Sequence, residues 1–225
     1  TPAHKGEAEQ YCPKTVKKLR DGQPVTIVAF GDSVTNGGGV GDRKELWYQH
    51  VFARRLQQQF PKAPVTMLTA AWPGGNSRDY MDAPSGSIHD FQRDVLDPHP
   101  DLVTIEFVND AYLDEEGVQK QYRKILDKIS AAGAEVILIT PHLVRPDWLT
   151  TSTLKFDEDP RVYVKGLRRF AGEQQVALAD ASLLWCRLYR QGIPYTTLLA
   201  NAINHPDARG QALFADALMA LFPEK

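Results

Sequence analysis

The chain has 225 residues, of which 43% are hydrophobic and 24% charged, and its formal net charge is −2. These values are typical of one globular domain that buries a sizeable core and needs neither a disulfide nor a metal to fold. The nearly balanced charge excludes a nucleic-acid-binding footprint or an anionic membrane surface. No apolar run is long enough to span a membrane, so we expect neither nucleic acid nor membrane insertion.

Strand-like and helix-like segments alternate along the chain. Short apolar runs predict strands, and apolar residues at helical spacing predict helices. The strands are expected at Val25–Phe30, Val65–Thr69, Leu102–Phe107, Glu135–Thr140 and Val176–Asp180. The helices are expected at Glu45–Phe60, Glu115–Ala132, Pro160–Glu173, Ala181–Tyr189 and Asp207–Phe222. This alternation predicts the α/β class, with a parallel five-stranded sheet between two helix layers in a three-layer α/β/α sandwich.

Residues 25–225 are therefore expected to form a single domain, and residues 1–24 an N-terminal extension with a helix around Thr15–Arg20. Residues 141–159 have little periodicity, and long loops of this kind often carry function. Cys12 and Cys186 permit one disulfide, but we expect two unpaired thiols. Neither cysteine has the spacing of a zinc site, so no metal is predicted.

In parallel sheets of this kind, ligands bind beyond the carboxyl ends of the strands. The first strand is followed by Gly31-Asp32-Ser33-Val34-Thr35, which presents a serine at that edge. A serine hydroxyl becomes a good nucleophile only when a base removes its proton. The alternative interpretation of this segment is a loop containing an Asx or Ser turn.

Three further groups follow at other strand ends. Gly74 and Gly75 come after the second strand, where a backbone N–H can donate to an oxyanion; a tight turn is the alternative. Asn109 comes after the third strand and offers a side-chain N–H, although Asn109 or Asp110 is equally suited to cap a helix. His205 precedes the last helix and is the residue type suited to move a proton near neutral pH, although a surface histidine is the alternative.

Together these blocks resemble the SGNH hydrolases, the GDSL-like esterases and acetylesterases. Ser33 lies in GDS, Gly74 at the oxyanion glycine, Asn109 in a variant of GxND, and His205 in a variant of DxxHP, in that order. The resemblance covers the chain from about Leu19 onward. It implies a flavodoxin-like sandwich without a cofactor, in which Ser33 is the nucleophile and His205 the general base. It also implies an oxyanion hole made by the N–H groups of Ser33 and Gly74 and the Asn109 side chain.

Two positions depart from the family pattern. Phe107 replaces the glycine of GxND, which should matter mainly for packing, and Ala202 replaces the acid three residues before His205. That acid normally holds the imidazole in the right tautomer. We therefore expect a Ser-His dyad in which a backbone or neutral side-chain oxygen of residues 200–204 accepts from Nδ1, with Asn201 and Asn204 as candidates. Three distant carboxylates are further candidates: Asp110, Asp147 and Asp207.

Four residues are candidate substrate contacts. Asp32 adjoins the nucleophile, and His142 follows the fourth strand, so both are expected near the site. Trp72 and Trp148 lie in loops at the same edge, where an aromatic face stacks on a sugar ring or simply packs within the loop.

The resemblance implies a serine esterase that deacetylates a carbohydrate, so its partner is a small-molecule or polysaccharide ester. The alternatives are a lipid or thioester acyl hydrolase, or a catalytically impaired SGNH-fold binding module, because the usual acid is Ala202. Nucleotide binding at the glycine-rich run 37–41 is disfavoured, since it matches neither the Walker motif nor GxGxxG. The start at Thr1 and the habits of the family favour a secreted or periplasmic location over a cytoplasmic one.

Overall fold

The computed structural model describes residues 6–145 and 158–222, and the structural statements below concern those residues. The strands are β1 (Val25–Gly31), β2 (Val65–Ala71), β3 (Leu102–Glu106), β4 (Glu135–Ile139) and β5 (Ala177–Ala179). They form one sheet in the order β2-β1-β3-β4-β5, and every neighbouring pair is parallel. The predicted five-stranded parallel sheet is confirmed, with strand ends shifted by one or two residues.

The α-helices are α1 (Ala8–Tyr11), α2 (Pro13–Arg20), α3 (Tyr48–Gln59), α4 (Ser77–Asp82), α5 (Glu115–Ala131), α6 (Val162–Gln174), α7 (Ala181–Arg190) and α8 (Ala208–Leu221). Short 3₁₀ or π-helical turns lie at Lys44–Leu46, Gln92–Leu96, Val108–Tyr112 and Tyr195–Leu198. The five predicted helices all form. Among the described residues, none of the helices is both long and apolar enough to cross a membrane.

Helices cover both faces of the sheet, which makes three layers. On one face the core includes Phe52 of α3 and Phe214 of α8, and on the other it includes Tyr122 of α5 and Phe170 of α6. Burial on both faces explains why β1, β3, β4 and β5 are nearly continuous apolar runs, whereas the edge strand β2 is only partly buried. The predicted α/β/α sandwich is confirmed.

The N-terminal segment packs into the first of these two cores. Its helix α2 covers the predicted Thr15–Arg20, and Val16 and Leu19 are buried against the sheet. Cys12 and Cys186 are buried and unpaired, as predicted. The residues before β1 are therefore part of the same packed body as the strands.

Candidate active site

The loop that carries Ser33 is a tight turn at the carboxyl end of β1. The Asn36 N–H donates to the Asp32 carbonyl at 3.0 Å, and the Gly38 N–H donates to the Ser33 carbonyl at 2.7 Å. Asp32 Oδ1 also accepts from the Val34 N–H at 3.0 Å, which is an Asx turn. Ser33 is half-buried at the top of the sheet. The segment therefore forms the Asx turn and also presents a half-buried serine at the edge of the sheet.

The glycine-rich run after Ser33 brings this loop against the segment that contains His205. A Cβ on Gly38 would lie 2.9 Å from His205 Cδ2, and a Cβ on Gly39 would collide with the Pro206 carbonyl. Gly39 also has a φ of 93°, in the region that glycine adopts without steric cost. The run is thus a close contact between two backbone segments, which explains its composition without a nucleotide.

Ser33 and His205 meet across these loops. Ser33 Oγ lies 3.1 Å from His205 Nε2, within hydrogen-bond distance. Burial lowers the pKa of His205 below its ordinary value of 6.5, because a half-buried imidazolium is less well solvated than the neutral ring. The neutral imidazole that a general base requires is therefore the main form at neutral pH.

The candidate oxyanion donors lie in the loops that follow β1, β2 and β3. Among the described residues, neither the Ser33 nor the Gly74 backbone N–H donates to a backbone carbonyl in the loops. Asn109 Nδ2 donates one hydrogen to the Gly75 carbonyl at 2.9 Å, which leaves its second N–H available. Neither Asn109 nor Asp110 caps a helix, since both lie inside a 3₁₀ turn and Asp114 caps α5. The helix-cap alternative is therefore wrong.

Asp32 joins the nucleophile loop to the oxyanion loop. Its Oδ1 accepts from Val34 N and its Oδ2 accepts from Asn109 N at 2.9 Å. The side chain is fully buried, and burial raises its pKa to about 7, although the hydrogen bonds from Asn109 and Val34 lower it. The expected substrate contact by Asp32 is therefore wrong, because no part of the side chain reaches the surface.

The Nδ1 side of His205 differs from the prediction. Nδ1 lies 3.3 Å from Asn201 Nδ2, an amide nitrogen, where we expected an oxygen. Asn201 Oδ1 instead accepts the backbone N–H groups of the loop. Ala202 is exposed at the tip of this loop with a φ of 54°. The expected oxygen acceptor is absent among the described residues because the amide oxygen of Asn201 is used to fold the turn.

The carboxylates that were considered as alternative acceptors for His205 Nδ1 form other hydrogen bonds or lie outside the described residues. Asp110 accepts from Ser77 N and from the Tyr122 hydroxyl, both at 2.9 Å. Asp207 accepts from the Arg209 and Gly210 N–H groups at the start of α8. Asp147 lies outside the described residues. Within the described chain, therefore, no carboxylate is bonded to His205.

His142 forms a hydrogen bond with the loop that carries His205. Its Nε2 lies 2.7 Å from the Asn204 carbonyl, and the side chain is fully buried beside Trp185. Burial, aided by the nearby charge of Arg161, lowers the pKa of His142 to about 3. The ring is therefore neutral, and its Nε2–H donates to that carbonyl. The expected substrate contact is wrong because the ring has no exposed surface, and no pattern in the sequence indicates this supporting role.

The structure describes Trp72 and Phe107 but not Trp148. The Trp72 ring stacks on His89, with centroids 4.3 Å apart, and meets Tyr80 edge-on. Packing within the loop thus occupies one face of Trp72, and its contact with a sugar stays a prediction. Trp148 lies outside the described residues. Phe107 is buried and packs edge-to-face on Phe30, so this departure from the glycine affects packing, as predicted.

Comparison with protein families identifies the family of this chain. The model of the GDSL-like Lipase/Acylhydrolase family matches residues 29–213, which is most of the chain. The chain therefore belongs to this family of carboxylic ester hydrolases. No protein among the curated sequences matches it.

Solved structures share the fold at low sequence identity. A two-domain esterase active on acetylated mannans matches with a TM-score of 0.71 and 22% identity, over 94% of this chain and 52% of that one. An acetyl xylan esterase matches with a TM-score of 0.64 and 20% identity, over 87% and 98% of the two chains. A mutant acetyl-xylooligosaccharide esterase from Geobacillus Stearmophilus matches with a TM-score of 0.67 and 18% identity, over 88% and 94%. The present chain thus spans about half the length of the two-domain mannan esterase.

Proposed function

We propose that this protein is a serine esterase that removes acetyl groups from a carbohydrate through an acyl-enzyme. The observation that carries the proposal is the 3.1 Å approach of Ser33 Oγ to His205 Nε2. A serine paired with a base and surrounded by oxyanion donors is the arrangement required for acyl transfer.

In the proposed reaction His205 Nε2 takes the proton of Ser33 Oγ while that oxygen attacks the ester carbonyl carbon. The N–H groups of Ser33 and Gly74 and the free N–H of Asn109 Nδ2 stabilise the oxyanion. His205 then gives its proton to the leaving alcohol, and the C–O bond of the ester breaks. A water, deprotonated by His205, attacks the acyl carbon on Ser33. The acyl–Oγ bond then breaks, His205 returns the proton to Ser33 Oγ, and acetate is released.

The carbohydrate part of the proposal is supported by the neighbours and by the polarity of the site. The solved structures named above are described as esterases of acetylated mannan, xylan or xylooligosaccharide. The described residues next to Ser33 and His205 include the polar side chains of Asn109 and Asn204, both half-buried. Amides hydrogen-bond sugar hydroxyls and suit a long acyl chain poorly.

A binding module that has lost activity is the second candidate. It is favoured by one observation, the amide nitrogen rather than a carboxylate beside His205 Nδ1. A lipid acyl hydrolase and a thioester acyl hydrolase would use the same serine chemistry as a carbohydrate acetylesterase. Only the substrate distinguishes these three enzymes. The secreted or periplasmic location stays a prediction.

Hydrolysis of p-nitrophenyl acetate by the wild-type chain and by Ser33→Ala tests the nucleophile. Ser130→Ala is a matched control, because it makes the same change at an exposed position of α5. We expect Ser33→Ala to remove the activity and Ser130→Ala to retain it. A serine-directed organophosphonate should add one equivalent to the wild type and none to Ser33→Ala. Activity that survives in Ser33→Ala contradicts the assignment, and a wild type without activity or labelling favours the binding module.

The substrate class is tested by measuring acetate released from acetylated xylan and mannan, with p-nitrophenyl decanoate and a short acyl thioester in parallel. We expect a higher kcat/KM for the acetylated oligosaccharides than for the long-chain ester or the thioester. The reverse order would assign the site to a lipid or thioester acyl hydrolase.

A further inference from the structure

The orientation of the Asn201 side-chain amide is determined by its own hydrogen bonds. Asn201 Oδ1 lies 3.0 Å from the backbone nitrogens of Ile203, Asn204 and His205. Three N–H donors converge on this atom, so it is the oxygen, since an amide nitrogen has no lone pair to offer them. The other amide atom is consequently the nitrogen. It lies 2.9 Å from Asn204 Oδ1 and 3.3 Å from His205 Nδ1.

This orientation places a donor opposite Nδ1 of His205. Asn201 Nδ2 has two hydrogens, of which one is directed to Asn204 Oδ1 and the other to Nδ1. Nδ1 accepts that hydrogen only if it carries none itself. In the neutral ring the proton is then on Nε2, which donates to Ser33 Oγ across the 3.1 Å contact. A nitrogen that already carries a proton does not remove one from serine, so the proton transfer of the proposed reaction proceeds only from the less populated Nδ1–H tautomer.

The same donor disfavours the imidazolium that forms during serine attack. A protonated Nδ1–H would point at the Asn201 amide hydrogen, so the positive ring gains no acceptor on that side. In a complete triad, a carboxylate accepts from Nδ1–H and stabilises the imidazolium. Burial lowers the pKa of His205, in agreement with the lack of a nearby carboxylate among the described residues.

We infer that Asn201 is a positioning residue that holds His205 in its Nε2–H tautomer and so keeps the enzyme in a weakly active form. The inference rests on the proposed function, because it assigns the factor that limits the same serine. Residue 201 is the position that faces Nδ1, whereas residue 202 is the exposed tip of the loop. A single isosteric change at 201, from amide to carboxylate, therefore supplies the missing acid.

Asn201→Asp is the variant that tests this inference. One carboxylate oxygen keeps the three backbone N–H donors, and the other takes the place of Nδ2 and accepts from Nδ1–H. We expect kcat on p-nitrophenyl acetate to rise at least tenfold, toward the roughly 10⁴-fold that the reverse change costs a complete triad, with little change in KM. Asn36→Asp is the matched control, since Asn36 is exposed in the Ser33 loop and makes the same change of charge; its kcat should stay near that of the wild type.

The tautomer itself is read by NMR on protein with ¹⁵N-labelled histidine, where two-bond ¹H–¹⁵N correlations distinguish a protonated from an unprotonated ring nitrogen. The His205 signals are those missing from His205→Gln. We expect unprotonated Nδ1 in the wild type and protonated Nδ1 in Asn201→Asp. A wild type with protonated Nδ1 overturns the inference, as does an Asn201→Asp variant with the new tautomer, a folded loop and unchanged kcat. Failure of the proposed function is separate, since it shows as hydrolysis independent of Ser33 while the NMR signals still report the tautomer.

Discussion

At the scale of single residues, the buried carboxylate of Asp32 forms hydrogen bonds with two of the loops that make up the site. Asp32 accepts an N–H from the loop that holds Ser33 and another from Asn109, so the nucleophile and the oxyanion donor are held by the same two oxygens. The Asn109 side chain is fixed in turn by its bond to the Gly75 carbonyl. A donor that is held in place before the reaction loses no energy to reorganisation when the oxyanion forms.

The contribution of Asn109 is tested by Asn109→Ala. This change removes the side-chain donor and keeps the backbone N–H that bonds Asp32. We expect kcat to fall by roughly 10²–10³ with little change in KM, because the donor acts on the charge that develops in the transition state. Steady-state kinetics on p-nitrophenyl acetate measure both constants, and circular dichroism checks the fold. An unchanged kcat would remove Asn109 from the oxyanion hole.

The pH dependence of hydrolysis follows from the pKa of His205. Burial lowers that pKa below 6.5, and only the neutral ring accepts the Ser33 proton. Activity should therefore be lost as pH falls through a value below 6.5, and the acid limb of kcat/KM should lie there in the wild type. In Asn201→Asp the new carboxylate stabilises the imidazolium, so the limb should move to higher pH. A wild-type limb above 6.5 contradicts the burial of His205.

At the scale of elements, a parallel sheet explains why much of the site was predictable. Ser33, Gly74 and Asn109 follow β1, β2 and β3, and the carboxyl ends of parallel strands meet at one edge. The short helix α4 was missed because its six residues show no apolar periodicity, although the Asn76 and Asp79 capping box marks its start.

The environment of His205 Nδ1 was not predictable in the same way. It depends on which end of the Asn201 amide receives the N–H groups of the turn, and that is decided only when the turn folds. The hydrogen bonds between this loop and the segment after β4 were also not predictable from the sequence. Arg145 N donates to the Ile203 carbonyl at 2.7 Å, and His142 bonds the next carbonyl along the chain.

The role of this support is tested by His142→Phe, which keeps an aromatic ring of similar volume and removes the Nε2–H donor. At neutral pH we expect the free energy of unfolding to fall by roughly 1–3 kcal/mol, because the Asn204 carbonyl is left unpaired. We also expect kcat to fall by up to roughly 10²-fold, because His205 is held less accurately. Urea unfolding and ester hydrolysis measure the two effects.

The pH dependence of the same variant distinguishes a buried neutral histidine from an ordinary contact. The pKa of His142 is about 3 in the folded chain against 6.5 as the reference. Between these values only the unfolded chain takes up the proton, so the wild type loses stability as pH falls from 6.5 toward 3. His142→Phe has no such proton uptake, so its free energy of unfolding does not fall for this reason. The difference in stability between the wild type and the variant should therefore shrink at acidic pH. A deficit that is the same at about pH 7 and about pH 4 contradicts the buried neutral ring.

At the scale of the whole molecule, buried acids should make the fold less stable as pH rises. Glu106 ends β3 and, by the alternation of a strand, faces the same core as Leu102. It is fully buried, and neither carboxyl oxygen has a hydrogen-bond partner among the described residues. Burial raises the pKa of Glu106 well above 4.5, the negative charge of Asp32 raises it further, and Arg161 opposes both. The folded chain therefore keeps this carboxyl protonated at pH values where the unfolded chain has ionised it.

Glu106→Gln tests this effect, because glutamine has nearly the same size and stays neutral at every pH used. Above 4.5, the unfolded wild type releases a proton that the folded one retains, so rising pH favours unfolding until the folded pKa is passed. The variant has no such proton, so its stability relative to the wild type should increase by about 1.4 kcal/mol per pH unit in this range. Urea unfolding of both proteins at about pH 5 and about pH 8 measures the difference. A stability difference that does not change between the two pH values would mean that Glu106 is ionised in the folded chain, with Arg161 as its counter-charge outweighing the cost of burial.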